Sequence, residues 1–444
     1  MKYLAVLVPL LLAFTASAQS VRDIRPHNLP APFDEVGALQ PFDFHNVLRL
    51  SAYCDGSIVT DHGACIDEWM ADARAQGRHM LADRGRYYSA DTHSLVSGDY
   101  IKCSDAEFVM TNPQASALFR VEERARQRDI YVGHCVFDLN ANTRHFGGVI
   151  ASGTRAPDDS GIHVRHMTVE NNHFYDSSRP GQLDDDRHTA QRQYVLILQA
   201  ENILIRNNRL ESGGRIKAGR PGRKMAIVEN VIHGVNDNGI TVVDTDRLEI
   251  HGASEDIFIH KNEIHGALTA PIFIGGDGGV NTGPTLRTAR ITVTENYIVN
   301  STGHCILLQL PIDSEEIHVG RNVCVYQTPI THRFPTAINV VNRSDVPVTL
   351  VDNLVVNESG APPNQDIVAY RVSDGPACMI DNRAYGVPIT AHRFHTSAGW
   401  VAMQLGEMEG QKRVDADVVV TDDISDCYIS PLADGVLPER WLAR

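Results

Sequence analysis

The chain has 444 residues, 43% of them hydrophobic, with 55 acidic against 40 basic side chains and a formal net charge of −15. That balance excludes a nucleic-acid binder relying on a broad basic field, and beyond the N-terminus no apolar run is long enough to form a transmembrane helix. A chain of this length ordinarily forms two or three domains, unless a repeat makes one long one.

The first residues, "MKYLAVLVPLLLAFTASAQS", combine Lys2, an apolar run from Leu4 to Phe14 too short to span a bilayer, and the small residues Ala16-Ser17-Ala18. They predict a secretory signal over 1–18 and a soluble mature chain, in the periplasm or outside the cell. Eight cysteines fit that oxidising setting. An N-terminal extension over 19–63 follows, then "ACIDEWMADARAQGRHM", in which Ile66, Trp69, Met70 and Ala73 fall at i, i+3, i+4, i+7. This spacing predicts an amphipathic helix capping a core.

From residue 129 a short β-branched run, an asparagine, a second apolar run and a turn recur: "VFDLNAN", "TVENNHF", "LIRNNRL", "IVENVIH", "FIHKNEI", "TVTENYI", "HVGRNVC", "LVDNLVV" and "MIDNRAY". Their asparagines are Asn140, Asn172, Asn208, Asn230, Asn262, Asn296, Asn322, Asn353 and Asn382, separated by 22 to 36 residues. One coil of short strands cannot bury its apolar face alone, whereas coils stacked about 4.8 Å apart bury a continuous core. A turn Asn repeated in each coil tolerates αL geometry and hydrogen-bonds to its neighbours above and below. The expectation is an all-β solenoid of about ten coils over 64–390, followed by a C-terminal tail over 391–444.

On these repeats the chain resembles the right-handed parallel β-helix proteins of the pectate lyase-like superfamily. The stretch "MLADRGRYY" also resembles the family's first coil, with Gly85 and Tyr87 in place and Asp83 where a proline is usual. The resemblance implies a right-handed parallel β-helix with its active site in a groove along one face.

Cysteine spacing offers a check on register. Cys103 and Cys135 lie 32 residues apart, about one coil, in comparable contexts, which predicts a disulfide between stacked strands. Cys54 with Cys65 would close a loop before the helix, and Cys378 with Cys427 would pin the tail. Cys305 and Cys324 remain as the last pair by elimination.

Candidate function centres on "ESGGRIKAGRPGRK", which holds Arg215, Lys217, Arg220, Arg223 and Lys224 within an otherwise acidic chain. With Ile216 and Ala218 inward, Arg215 and Lys217 alternate outward on a strand. Corresponding strands of the next coils bring Thr241, Asp244, Asp246, Asp277 and Gln309 toward the same stripe. Basic groups in a bounded patch suit an acidic polysaccharide, because Arg grips a carboxylate bidentately and Lys acts as a point charge. β-Elimination needs a carboxylate-neutralising cation, a base for the C5 proton and an acid for the leaving oxygen. Lys217 is the candidate base, Arg215 or Arg220 the neutralising group and His233 the candidate proton donor, with Arg223, Lys224, Asp246 and Gln309 as substrate contacts. The blander reading of the island is a solvated run that offsets negative charge.

The triplet "RIK" is similar to the substrate-binding triplet of polygalacturonases, but N-T-D and G-H-G motifs are absent, so that family's roles do not transfer as a set. Lys217 also follows its turn as the base of chondroitinase B and of β-helix alginate lyases does, while the next coil lacks their arginine. Hydrolysis, the alternative chemistry, would use paired carboxylates such as Asp244 and Asp277. In the loop from 177 to 193, Asp184, Asp185 and Asp186 offer oxygen ligands for Ca²⁺. An epimerase and a non-catalytic polysaccharide binder are the remaining alternatives.

Overall fold

The computed structural model describes most of residues 42–432. Outside it lie residues 1–38 and 433–444, the segments 123–125, 141–147, 153–160, 179–192, 244–253, 276–287, 328–335 and 360–367, and some shorter ones. From 390 to 421 the strands are described by backbone alone. The expected signal segment is therefore outside the described residues.

Hydrophobic periodicity places the helix where expected, at Gly63–Ala75, with Ile66, Trp69, Met70 and Ala73 buried. It closes the N-terminal end of the core, and Trp69 Nε1 donates to the Leu48 carbonyl at 2.9 Å. Beyond it the chain winds through three sheets, called first, second and third in the order each coil meets them. The strand Gln193–Arg206 serves the first sheet up to Leu198 and the second from Ala200, and Arg209–Leu210 serves the third. The next coil repeats this with Arg215–Val228 and Val231–Val235, and the following one with Ile240–Val243, Ser254–His260 and Glu263–Ala267. Strand neighbours are parallel and come from successive coils.

Interior columns explain the β-branched runs. Val195, Ile216, Ile240, Ile272, Ile306 and Ile338 stack in register inside the first sheet, and Ile205, Ile227, Ile259, Val293 and Val319 inside the second. These side chains fit a pleated surface buried on its inner face. Toward the N-terminus the third sheet uses rings instead, with Phe137 stacked between Phe108 at 5.8 Å and Phe174 at 5.1 Å.

The turn between second and third sheets carries the asparagine ladder. In Asn208, Nδ2 donates to Asn230 Oδ1 at 3.0 Å and to the Val169 carbonyl at 2.9 Å, and the pattern continues through Asn262, Asn296, Asn322 and Asn353 to Asn382. Two expectations need correction. Asn140 is not a member, because Cys135 occupies the position before its third-sheet strand and donates its N–H to Asn172 Oδ1. Nor do the ladder asparagines adopt αL. The residue before each does, from Asn171 (φ 55°) through Glu229, Lys261, Glu295 and Arg321 to Asp381 (φ 49°). That leaves each Asn side chain aimed inward while its predecessor faces water.

Disulfides join Cys54 to Cys65, Cys103 to Cys135 and Cys378 to Cys427, as the spacing implied. The pairing by elimination is not made: Cys305 and Cys324 are buried free thiols. The stack also outlasts the expected limit at residue 390. Thr390–Thr396 pairs with Val368–Asp374, and Gln411–Val414 pairs with it in turn. No asparagine follows Asn382 in the sequence, so the repeat's marker ends before its strands do.

Residues after the last strand turn back along the outer face of the second sheet. Ile424 packs on Val351, Cys378 and Ile380, Ser430 Oγ meets Thr292 Oγ1 at 2.7 Å, and Leu432 covers Leu204, Ala226, Val228 and Phe258. From Cys427 to Leu432 this strap passes from the strand of Cys378, by Ser430 at Thr292, to the strands around Phe258.

Candidate functional site

The basic island is split by the fold. At Gly219 (φ 109°) the chain enters the corner between two sheets, so Arg215 and Lys217 lie on the first sheet while Arg223 and Lys224 lie on the second. Arg223 is exposed and sits in register between Glu201 and Glu255, a structural charge column rather than part of one patch. Lys224 is half-buried with φ 48°. The island read as continuous because a sheet corner between glycines leaves no break in charge along the sequence.

Arg215 and Lys217 do alternate with core residues Ile216 and Ala218, as expected. They are nevertheless only 2% and 5% exposed, not open groove residues. Neither is isolated, which is the condition under which a buried cation is tolerable. A bulge helps set this geometry: Tyr194 is an extra residue between the pairs Gln193–Arg215 and Val195–Ile216. Its ring fills the space beside Gly214, where any Cβ would meet ring carbons at 1.8 Å. Bulges of this kind re-aim neighbouring side chains and recur beside functional sites.

Level with these cations stand Gln193 and Thr241. Gln193 is 1% exposed with Oε1 unbonded, and Thr241 is 2% exposed with Oγ1 unbonded. A buried polar atom without a partner costs about 1–3 kcal/mol, a cost that a ligand hydroxyl would remove.

The outward column through Lys217 runs Arg120, Ala151, Leu196, Lys217, Thr241, Phe273, Leu307, Asn339, Arg371. Among the described side chains it contains three cations and no acid. Gln309 is half-buried on the same face, one outward position along from Leu307. Connections at the two margins of this sheet vary from the single residue Gln199 to the segment 176–192, whereas the ladder turn stays two residues long from Asn171-Asn172 to Asp381-Asn382.

Other expected residues part from this face. His233 lies on the third sheet, stacked on His265 with centroids 4.6 Å apart, and burial, with His265 and Arg209 nearby, lowers its pKa. The structure therefore does not bring it to Lys217 as a proton donor. The Arg220 side chain and Asp184, Asp185, Asp186, Asp244, Asp246 and Asp277 lie outside the described residues. Among the described residues no cluster of three His, Cys, Asp or Glu is arranged to hold a metal ion. Sequence reasoning missed Gln193, whose signal is register with Arg215 in the next coil, and Asn339 and Arg371, whose signal is register with Lys217 across several coils.

Solved structures with the same winding include the Streptococcus pneumoniae surface protein and adhesin PfbA, 14% identical with TM-score 0.52 over 84% of this chain and 99% of that one. An exopolygalacturonase from Thermotoga maritima matches at 12% identity and TM-score 0.55, over 87% and 94% of the two chains. The A-module of the Azotobacter vinelandii mannuronan C-5 epimerase AlgE6 matches at 12% and 0.54, over 84% and 99%. The chain is a right-handed parallel β-helix. No family model matches it, and no curated protein does. At these identities the likeness to other β-helices extends to the fold alone, and the chemistry of this β-helix rests on its own residues.

Proposed function

We propose that this β-helix binds an acidic, uronate-containing polysaccharide along the outer face of its first sheet and cleaves it by β-elimination. The observation that carries the reading is the acid-free column of Arg120, Lys217 and Arg371, with Arg215 beside its centre. Support also comes from an exopolygalacturonase and a mannuronan C-5 epimerase that share this winding. Three disulfides fit a secreted or periplasmic setting.

In the proposed step Arg215 faces the uronate carboxylate and stabilises the charge that develops when the C5 proton leaves. Lys217, as the neutral amine, takes that proton. The electron pair passes through the enolate into a C4–C5 double bond, and the C4–oxygen bond breaks. The leaving oxygen is protonated by water or by the ammonium formed on Lys217. Reprotonation at C5 from the opposite side, without bond cleavage, would instead give the epimer.

The test incubates the protein, with and without Ca²⁺, with alginate, polygalacturonate, hyaluronan and neutral glucans, following unsaturated-uronate absorbance and reducing ends together. Both should rise on an acidic polymer, and Lys217→Ala should lower the rate about 10²–10⁴-fold with an unchanged circular dichroism spectrum. Reducing ends without absorbance would overturn elimination in favour of hydrolysis. Binding without either signal would leave an epimerase or a binder, separated by proton exchange at C5.

A further inference from the structure

Four strands beyond Lys217 the polar character of the first sheet returns. After Phe273 and Leu307 the outward column reaches Asn339 and then Arg371, and His304 stands beside Asn339. His304 Nδ1 lies 2.7 Å from the Thr336 carbonyl. A carbonyl only accepts, so Nδ1 carries a proton, and in the neutral ring Nε2 is an acceptor. Asn339 turns its Nδ2 toward that Nε2 at 3.5 Å, which fixes the amide orientation and leaves Oδ1 directed elsewhere. Asn339 is 8% exposed, and its Oδ1 has no hydrogen bond. The next strand places Arg371 in register with it, flanked by inward Tyr370 and Val372. Arg371 is half-buried, and its Nε also lacks a partner.

An orphaned acceptor beside an orphaned charged donor matches a group presenting both a hydroxyl and a carboxylate. We propose that His304, Asn339 and Arg371 form a second subsite for a uronate residue, in which Arg371 receives the carboxylate, Asn339 Oδ1 accepts a sugar hydroxyl, and His304 positions Asn339. From Lys217 to Arg371 the column spans five strand spacings, ~24 Å, so one polymer chain engages both stations only when it is several sugars long. Phe273 and Leu307 between them supply an apolar floor. This inference rests on the polysaccharide reading above.

The experiment measures binding of alginate and polygalacturonate oligomers of increasing length, by calorimetry, to the wild-type protein and to Arg371→Ala and Asn339→Leu. Wild-type affinity should step up once the oligomer reaches both stations. In both variants that step should vanish, costing long chains about tenfold or more in Kd, as loss of a charged hydrogen bond does, while the shortest binding oligomers are unaffected. Arg371→Lys should restore part of the step. Wild-type binding with the step intact in both variants would overturn the second subsite and leave the main reading standing. Absence of wild-type binding to any uronate polymer would overturn both. A variant that weakens short and long oligomers equally would mean a structural role and would also overturn the inference.

Discussion

The outer faces of the first and second sheets are built on the same core at the same strand spacing, yet one outward column on each carries very different chemistry. The outward column of the second sheet reads Tyr131, Thr168, Leu204, Ala226, Phe258, Thr292, His318, Thr349, Cys378 and contains no formal charge. The chain's own C-terminal residues cover much of it, pinned by the Cys378–Cys427 disulfide. The equivalent column of the first sheet has Arg120, Lys217 and Arg371 with apolar and amide residues between them. A column covered by the protein's own chain can be uncharged, and the second sheet keeps its charges in the neighbouring column of Glu201, Arg223 and Glu255. A face carrying desolvated cations and unbonded amide oxygens spends stability on something else; under the proposed function the carboxylates of a uronate polymer would meet the cations and its hydroxyls the amide oxygens.

The largest expected effect comes from breaking what both faces share. Asn262 donates to the Ile227 carbonyl and to Asn296 Oδ1, each at 2.9 Å, and its Oδ1 accepts two N–H groups of Asn230 at 3.0 Å. In Asn262→Ala these buried partners lose their bonds without gaining water, so at least about 3 kcal/mol of stability should go. The midpoint of guanidinium unfolding measures it. A loss under about 1 kcal/mol would mean that the ladder follows the stack rather than holding it.

The ladder also shows what was legible in the sequence. Its asparagines mark the turn whose length never varies, and the fold could be read from them together with the cap helix and the spacing of Cys103 and Cys135. Where the marker is missing, the reading fails: at Cys135, which displaces Asn140, and past Asn382, where strands continue without it. The site was harder for a related reason. Arg215 and Lys217 stood out as a local cluster, whereas Gln193, Asn339 and Arg371 join them only through strand register, which depends on connection lengths that vary at the margins of the first sheet. Arg223 and His233 were close in sequence to Lys217 but lie on other sheets.

A second effect should be confined to the second sheet. His318 is fully buried beneath the strap, where the Ser430 N–H points at its Nδ1 from 3.5 Å, and burial lowers its pKa to about 4 from 6.5. The unfolded chain therefore takes up a proton before the native one does. The stabilisation this neutral histidine allows is complete above pH 6.5 and is lost as pH falls from there toward 4, by about 3 kcal/mol in all. Unfolding midpoints across that range should fall in the wild type and fall less in His318→Asn. Equal slopes in the two proteins would assign the acid sensitivity to other groups.

The smallest effect is the sharpest test of the contrast, because it removes the same charge from a different place. Arg321 lies in αL before a ladder asparagine, 3.6 Å from Glu295 and 3.5 Å from Asp352, and all three are partly open to water. Asp352 keeps Arg383 at 2.8 Å whatever happens to Arg321. Such pairs contribute about 0–1 kcal/mol and weaken in salt. Arg321→Ala should therefore shift the unfolding midpoint slightly at low salt, hardly at all at 1 M, and leave polymer affinity untouched. Arg371→Ala deletes the same guanidinium from the first sheet and should act on affinity. If the two substitutions weakened polymer binding equally, the polymer would be answering to the protein's general field and not to a built face, and the distinction between the two sheets would lose its functional meaning.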